Sequence, residues 1–200
     1  MNKRHILLIL VPFLTIVLFS SCGNGTPKRI LSETPIKTEV LGLKLCSVSN
    51  GEAVRRAVSK ATDKDFGCTS EKVGTHSRYC LDRPFGQEFF YGGESWHHIN
   101  VFISKEGRIA GLQFNTSYGR QAQVQKQYER LCQALSKKYG EGNKNNKQAH
   151  KNMLWTDNIN TVGVTMTRVT SESGVRCAYC TLYYLNIELY EKVLESIQDL

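Results

Sequence analysis

The chain has 200 residues, of which 40% are hydrophobic and 10% aromatic, and it carries 26 Lys and Arg against 18 Asp and Glu. This length suits one medium-sized domain with a short tail, and the apolar content is enough for a packed core. The composition therefore excludes an array of several domains and a chain too polar to fold.

The first 21 residues are predicted to be a secretory signal peptide. Lys3 and Arg4 precede an almost wholly apolar stretch, 6–19, and the small residues Ser20 and Ser21 follow it. This order is typical of a cleaved export signal. A retained membrane span is less favoured, because a span needs about 20 apolar residues and this run is shorter.

The end of this leader, Phe19-Ser20-Ser21-Cys22, resembles the lipobox of bacterial lipoproteins. At a lipobox the chain is cleaved after a lipid has been attached to the cysteine thiol. The resemblance implies that the mature chain begins at Cys22 and is held on a bacterial cell-envelope membrane, inner or outer. Phe19 departs from the leucine usual at its position, and the alternative is an ordinary secreted protein.

Two further segments follow the leader. Residues 22–38 contain glycines and prolines without an apolar period, which predicts a flexible tether. The remainder, 39–200, is predicted to be a single domain.

The first half of this domain is predicted to contain one helix and several strands. Alternating leucines mark a short strand at 40–46, and the Ser49–Glu52 pair resembles a capping box before a helix that ends near Ala61. Glycines interrupt the next thirty or so residues, where only short strands near 79–81 and 88–91 are expected. A hairpin at 96–104 and 108–116 is the clearest element.

The second half repeats this arrangement. Apolar residues at spacings of three and four predict a helix at 120–139, which Gly140 would end. A polar loop is expected at 141–151, and strands are expected near 153–155, 162–166 and 175–185. Asn186 can cap a closing helix.

The elements together predict an α+β domain: an antiparallel sheet with helices packed on one face. Each long predicted helix precedes a hairpin region that begins with a tryptophan, Trp96 or Trp155. This order suggests two related α-β-β half-units. The other face of the sheet would be solvated or would bind a ligand or partner. This architecture is similar to that of small α+β envelope lipoproteins and periplasmic inhibitor proteins.

Six cysteines remain once Cys22 is set aside. An even number in an exported chain makes them candidates for disulfides, and buried free thiols are the alternative. They are Cys46, Cys68, Cys80, Cys132, Cys177 and Cys180. Cys177 and Cys180 form a CxxC in a strand pattern, where positions three apart lie on opposite faces, so a redox pair is not favoured.

No constellation for catalysis or for metal binding stands out. One CxxC falls short of a zinc site, and the adjacent His97 and His98 would point to opposite sides of a strand. Nucleophile motifs and a phosphate-binding loop are absent from the sequence. We therefore predict no catalytic residue, metal or cofactor, and the alternative is an exported enzyme with an unrecognised site.

Positive charge is concentrated between Arg120 and Lys151, which holds eight basic and two acidic residues. Such a segment can contact an anionic surface, although a solvated helix face is the alternative. The candidates for this contact are Lys137, Lys138, Lys144, Lys147 and Lys151. Nucleic acid is not expected as a partner, because an exported lipoprotein rarely meets it.

Aromatic residues cluster between Phe85 and Trp96, among glycine-rich turns. The cluster either fills the core or forms a ridge that binds a partner. The sequence therefore predicts a membrane-anchored, non-catalytic binding or assembly module that contacts a protein or an anionic envelope surface.

Overall fold

The computed structural model describes residues 29–147, 149–170, 174 and 176–198. The leader and Cys22 lie outside these residues. Thirteen strands and three long helices form in the described part. The strands are β1 (Glu39–Val40), β2 (Leu43–Lys44), β3 (Gly67–Val73), β4 (His76–Asp82), β5 (Phe89–Tyr91), β6 (Glu94–Trp96), β7 (His98–Ile103), β8 (Ile109–Asn115), β9 (Gly119–Arg120), β10 (Asn143–Lys147), β11 (His150–Thr156), β12 (Asn160–Thr170) and β13 (Arg176–Asn186). The helices are α1 (Gly51–Thr62), α2 (Gln121–Tyr139) and α3 (Ile187–Gln198).

One large antiparallel sheet organises the domain. Its strand order is β10-β11-β12-β13-β8-β7-β4-β3, with the short β9 paired beside β13. The α+β prediction, an antiparallel sheet with helices packed against it, is confirmed.

The order of elements along the chain contains the same unit twice. The helix α1 precedes the four strands β3, β4, β7 and β8, and α2 precedes the four strands β10 to β13. Each set is a meander within the sheet, and the last strands of the two sets, β8 and β13, pair at its centre. Each unit is thus a helix followed by four strands, longer than the α-β-β unit expected from sequence.

The helices divide between the two faces of the sheet. Those of the two units, α1 and α2, share one core with the residues of β12 and β13 that include Val164 and Leu182. The closing helix α3 lies on the opposite face, where Tyr190 packs edge-on against Phe102 of β7. The expectation of a single helix-covered face therefore describes α1 and α2 but not α3.

The ends of the helices follow from local chemistry. Asn50, rather than Ser49, caps α1 by accepting a hydrogen bond from the Ala53 N–H at 3.0 Å. Gly140 ends α2 with φ near +81°, as predicted. The Asn186 side chain accepts from the Leu189 N–H at 3.1 Å, which confirms the predicted cap of α3.

The described part of the predicted tether, 29–38, lies against the domain and is called the strap below. The Ser32 N–H donates to the Thr156 carbonyl at 2.8 Å, and the Glu33 N–H donates to the Tyr139 carbonyl at 3.0 Å. The Ile36 side chain is buried in the core. The strap therefore docks where α2 and β11 both end.

Candidate functional site

The connection between β4 and β7 contains a small sheet of its own, separate from the large one. It contains a short turn of 3₁₀ helix, Pro84–Gly86, followed by the β5–β6 hairpin. Phe89 and Trp96 face each other across this hairpin and are both buried. Tyr91 stacks on Phe114 of β8 with ring centroids 4.6 Å apart. The hairpin is thus anchored in the core by three aromatic side chains.

Two aromatic side chains of the same connection face solvent. Phe85 is 99% exposed and Phe90 is 76% exposed; we call this pair the ridge. Phe85 also adopts φ 58° and ψ 25°, the left-handed conformation that is costly for a bulky residue. The sequence cluster therefore divides: Phe89 and Trp96 fill the core, whereas Phe85 and Phe90 form an exposed ridge.

The hairpin behind the ridge is held to α2 by charge. Both Glu94 oxygens accept from the Arg130 guanidinium, at 2.6 and 2.8 Å, and the Glu94 side chain is nearly buried. The Gln127 amide donates to the Ser95 carbonyl at 3.2 Å. These contacts fix the hairpin that carries Phe90 against α2, and such fixing lowers the entropic cost of binding a partner.

His97 lies beside the ridge in a cluster that resembles a hydrolase triad in composition only. The Ser117 N–H donates to His97 Nδ1 at 3.1 Å, so the proton of the neutral ring is on Nε2. That nitrogen faces Ser117 Oγ at 3.0 Å and Glu88 Oε1 at 3.4 Å. A serine nucleophile needs an unprotonated ring nitrogen to take its proton. The cluster instead joins two loops.

The sheet face opposite α1 and α2 carries a row of polar side chains beside α3. Thr181 Oγ1 and Gln113 Nε2 both donate to Asn115 Oδ1, at 2.9 and 3.0 Å. The Tyr183 hydroxyl donates to Asn152 Oδ1 at 3.1 Å. The side chains of this row are buried, and they use much of their hydrogen-bonding capacity on one another.

Cys80, Asp82 and His98 lie on this same face, at the end of the sheet nearest the ridge. The Cys80 thiol donates to Asp82 Oδ2 at 3.4 Å. Burial, reinforced by the Asp82 charge, raises the pKa of Cys80 to about 12. Burial also lowers the pKa of His98, against the opposing effect of Asp82. A protonated thiol is a poor nucleophile, because the thiolate is the reactive form.

All six cysteines of the described domain are free thiols in the structure. Cys180 packs in the core below α2, whereas the Cys177 thiol donates to the Val169 carbonyl at 3.8 Å on the opposite side of β13. Cys68 packs against the core opposite Leu81 of β4, whereas Cys80, opposite Thr69, lies on the other face. The CxxC thus lies in a strand, as predicted, with its thiols on opposite faces.

The predicted basic residues are only partly brought together. Lys137 and Lys138 are exposed in the last turn of α2, and Lys144 is exposed on β10 beside this helix end. Lys151 lies farther away, on β11, where it donates to Gln125 Oε1 at 2.9 Å. Lys147 pairs with His150 at the far end of the β10–β11 hairpin.

The structure adds a lysine to this group that sequence reasoning missed. Lys37 is exposed on the strap, and its N–H donates to the Tyr139 hydroxyl at 3.3 Å. We call the group Lys37, Lys137, Lys138 and Lys144 the basic corner. Only a prediction that the strap docks on α2 could have placed Lys37 there.

Within the described ranges, no group of three His, Cys, Asp or Glu side chains is arranged to hold a metal ion. No described helix is long and apolar enough to cross a membrane. Comparisons with protein-family models, curated proteins and solved structures found no match.

Proposed function

We propose that the chain is a lipid-anchored, non-catalytic envelope module that binds a protein partner through the ridge. The observation that carries the proposal is Phe85, which is 99% exposed and held in a left-handed conformation. Strained residues that persist in folded proteins cluster at binding and switch sites. Phe90 adds a second exposed apolar side chain, on the β5–β6 hairpin that follows this turn, and aromatic anchors contribute strongly to protein interfaces.

The position of the ridge supports a partner away from the membrane. The ridge follows β4 at the end of the sheet where β11 begins, whereas the strap docks where β11 ends. With lipid on Cys22, the strap would be the part of the domain nearest the bilayer. The ridge then faces the aqueous space, where another envelope protein can reach it.

The hydrogen bonds of His97 and the raised pKa of Cys80 favour binding over catalysis. His97 carries its proton on the nitrogen nearest Ser117 Oγ, and the Cys80 thiol is protonated at neutral pH. Neither group is arranged to activate a nucleophile. The alternative of an exported enzyme receives no support from these clusters.

Photo-crosslinking in intact cells tests the proposal. A photoreactive residue at Phe85 or Phe90 is expected to give one discrete protein adduct. Val48, an apolar side chain that is 75% exposed and distant from the ridge in sequence, is the matched control and is expected to give none. Adducts that are the same at all three positions, or adducts to lipid at the ridge, would contradict the proposal.

A further inference from the structure

The end of the domain that carries the strap combines exposed lysines with exposed aliphatic side chains. The basic corner provides four exposed lysines, and none of them forms an ion pair within the described residues. Beside it, three apolar side chains are exposed: Ile30 at 38%, Leu31 at 49% and Ile159 at 65%. Lysines around exposed aliphatic side chains match the chemistry of a lipid headgroup region.

Hydrogen bonds hold these residues in one place. The Ile30 N–H donates to Asn143 Oδ1 at 2.9 Å, and Asn143 Nδ2 donates to the Ile30 carbonyl at 2.7 Å. Asn143 immediately precedes Lys144. Thr34 Oγ1 donates to the Lys138 carbonyl at 3.0 Å. Asp157 accepts from the Ile36 N–H at 2.8 Å and from the Ile159 N–H at 3.0 Å. The strap, the end of α2 and the β11–β12 turn therefore form one continuous surface.

The acidic groups of this surface reduce its charge without cancelling it. Glu33 and Glu141 are exposed, and Asp157 uses its carboxylate on backbone N–H groups. Arg29 joins the four lysines of the basic corner on the positive side. Five basic side chains therefore face three carboxylates, and the exposed Glu39 near Lys37 is balanced by Lys44 opposite it, so the surface remains positive.

The length of chain before the strap places this surface close to the proposed anchor. Seven residue steps separate Cys22 from Arg29, and a fully extended chain covers at most about 3.6 Å per residue, or about 25 Å in all. A lipid at Cys22 would thus keep the strap near the bilayer and give the lysines a high local concentration of headgroups.

We propose that this surface docks on anionic phospholipid headgroups and so fixes the orientation of the domain, with the ridge directed away from the bilayer. The inference rests on the lipid anchor of the proposed function. The membrane contact is then made by the basic corner together with Ile30, Leu31 and Ile159.

Lysine footprinting of the mature protein, purified as the cell processes it, tests this inference. The protein is placed in phosphatidylcholine vesicles with or without phosphatidylglycerol, and modification by an amine-reactive reagent is measured by mass spectrometry. We expect the basic corner to react several-fold more slowly in the anionic vesicles, and high salt to abolish this protection. Lys60 and Lys64, exposed near the end of α1, are internal controls expected to react equally in both.

Two variants distinguish membrane docking by the basic corner from partner binding by the ridge. The triple variant Lys137→Glu, Lys138→Glu, Lys144→Glu is expected to stay membrane-bound but to lose the protection at Lys37. The ridge variant Phe85→Ser, Phe90→Ser is expected to keep that protection. Equal reactivity of the basic corner in both vesicles would overturn the docking while leaving the ridge proposal intact. A wild-type protein that does not sediment with either vesicle would overturn the anchor as well.

Discussion

Tyr183 lies directly across the backbone of Gly163 on the neighbouring strand, so that a Cβ there would overlap the phenol ring and its hydroxyl. Only with glycine at this position can the hydroxyl reach Asn152 on the next strand, at 3.1 Å. We expect Gly163→Ala to displace the ring and lower the free energy of unfolding by about 1–3 kcal/mol. Urea denaturation measures the change.

Gly67 provides the matched control for this substitution. It is also a strand glycine, but a Cβ there would meet only the Asp82 carbonyl oxygen at an ordinary 3.6 Å. Gly67→Ala should therefore leave stability unchanged or raise it slightly. Equal losses for the two variants would show that the Tyr183 contact is not what requires glycine.

The left-handed backbone at Phe85 predicts a stabilising substitution. Phe85→Gly removes the steric cost of φ 58° and gives up no buried surface, so stability should rise by about 1 kcal/mol. The same change at Phe90, in an extended strand, should lower stability instead. Thermal or urea unfolding shows whether each variant gains or loses stability. A loss of stability for Phe85→Gly would contradict a strained backbone at Phe85.

The Arg130–Glu94 pair should contribute measurably to stability, because removing Arg130 leaves the nearly buried Glu94 carboxylate without its partner. We expect Arg130→Met to cost about 1–2 kcal/mol, less than a fully buried pair because Arg130 is largely exposed. Arg55→Met, which breaks an exposed pair with Glu52, should have no measurable effect. A double-mutant cycle with Glu94→Gln isolates the coupling.

Stability should fall as the solution is acidified below about pH 6.5, before most carboxylates titrate. Burial lowers the pKa of both His98 and His76 in the folded chain. The unfolded chain therefore binds more protons in this range, and protons favour unfolding. His98→Gln should flatten the dependence of urea midpoint on pH. A stability that rises on acidification from pH 7 to pH 5 would contradict these directions.

The cysteines should react as six free thiols after unfolding without a reductant. In the native protein Cys132 and Cys180 should resist alkylation, because burial raises the pKa of both thiols. Intact-mass measurement after iodoacetamide treatment counts the modified residues. Fewer than six additions under denaturing, non-reducing conditions would instead support the disulfides considered from sequence.

The parts of the fold that sequence predicts well are those with a strong apolar period. The helix α2 matches the prediction to within a residue, because its core-facing positions recur at helical spacing. The β7–β8 hairpin and β13 also match, since their strands cross the centre of the sheet and are buried.

The edge strands were the elements that sequence reasoning missed. β10, with the sequence NKNNK, was expected as a loop, because an edge strand takes its register from β11 and needs no apolar side chain. β3 lies at the other edge and is mostly exposed, so its alternation is weak. The docked strap was missed for a related reason: it contributes mainly its own backbone groups to the hydrogen bonds that hold it, and these leave no pattern in its side-chain types.

Both proposals depend on the lipid at Cys22, and the mass of the mature N-terminal peptide tests it most directly. We predict a mature chain that begins at Cys22, with a diacylglyceryl group on the thiol. An unmodified Cys22, or a mature chain that begins at another residue, would contradict the anchored module and the orientation inferred from the strap.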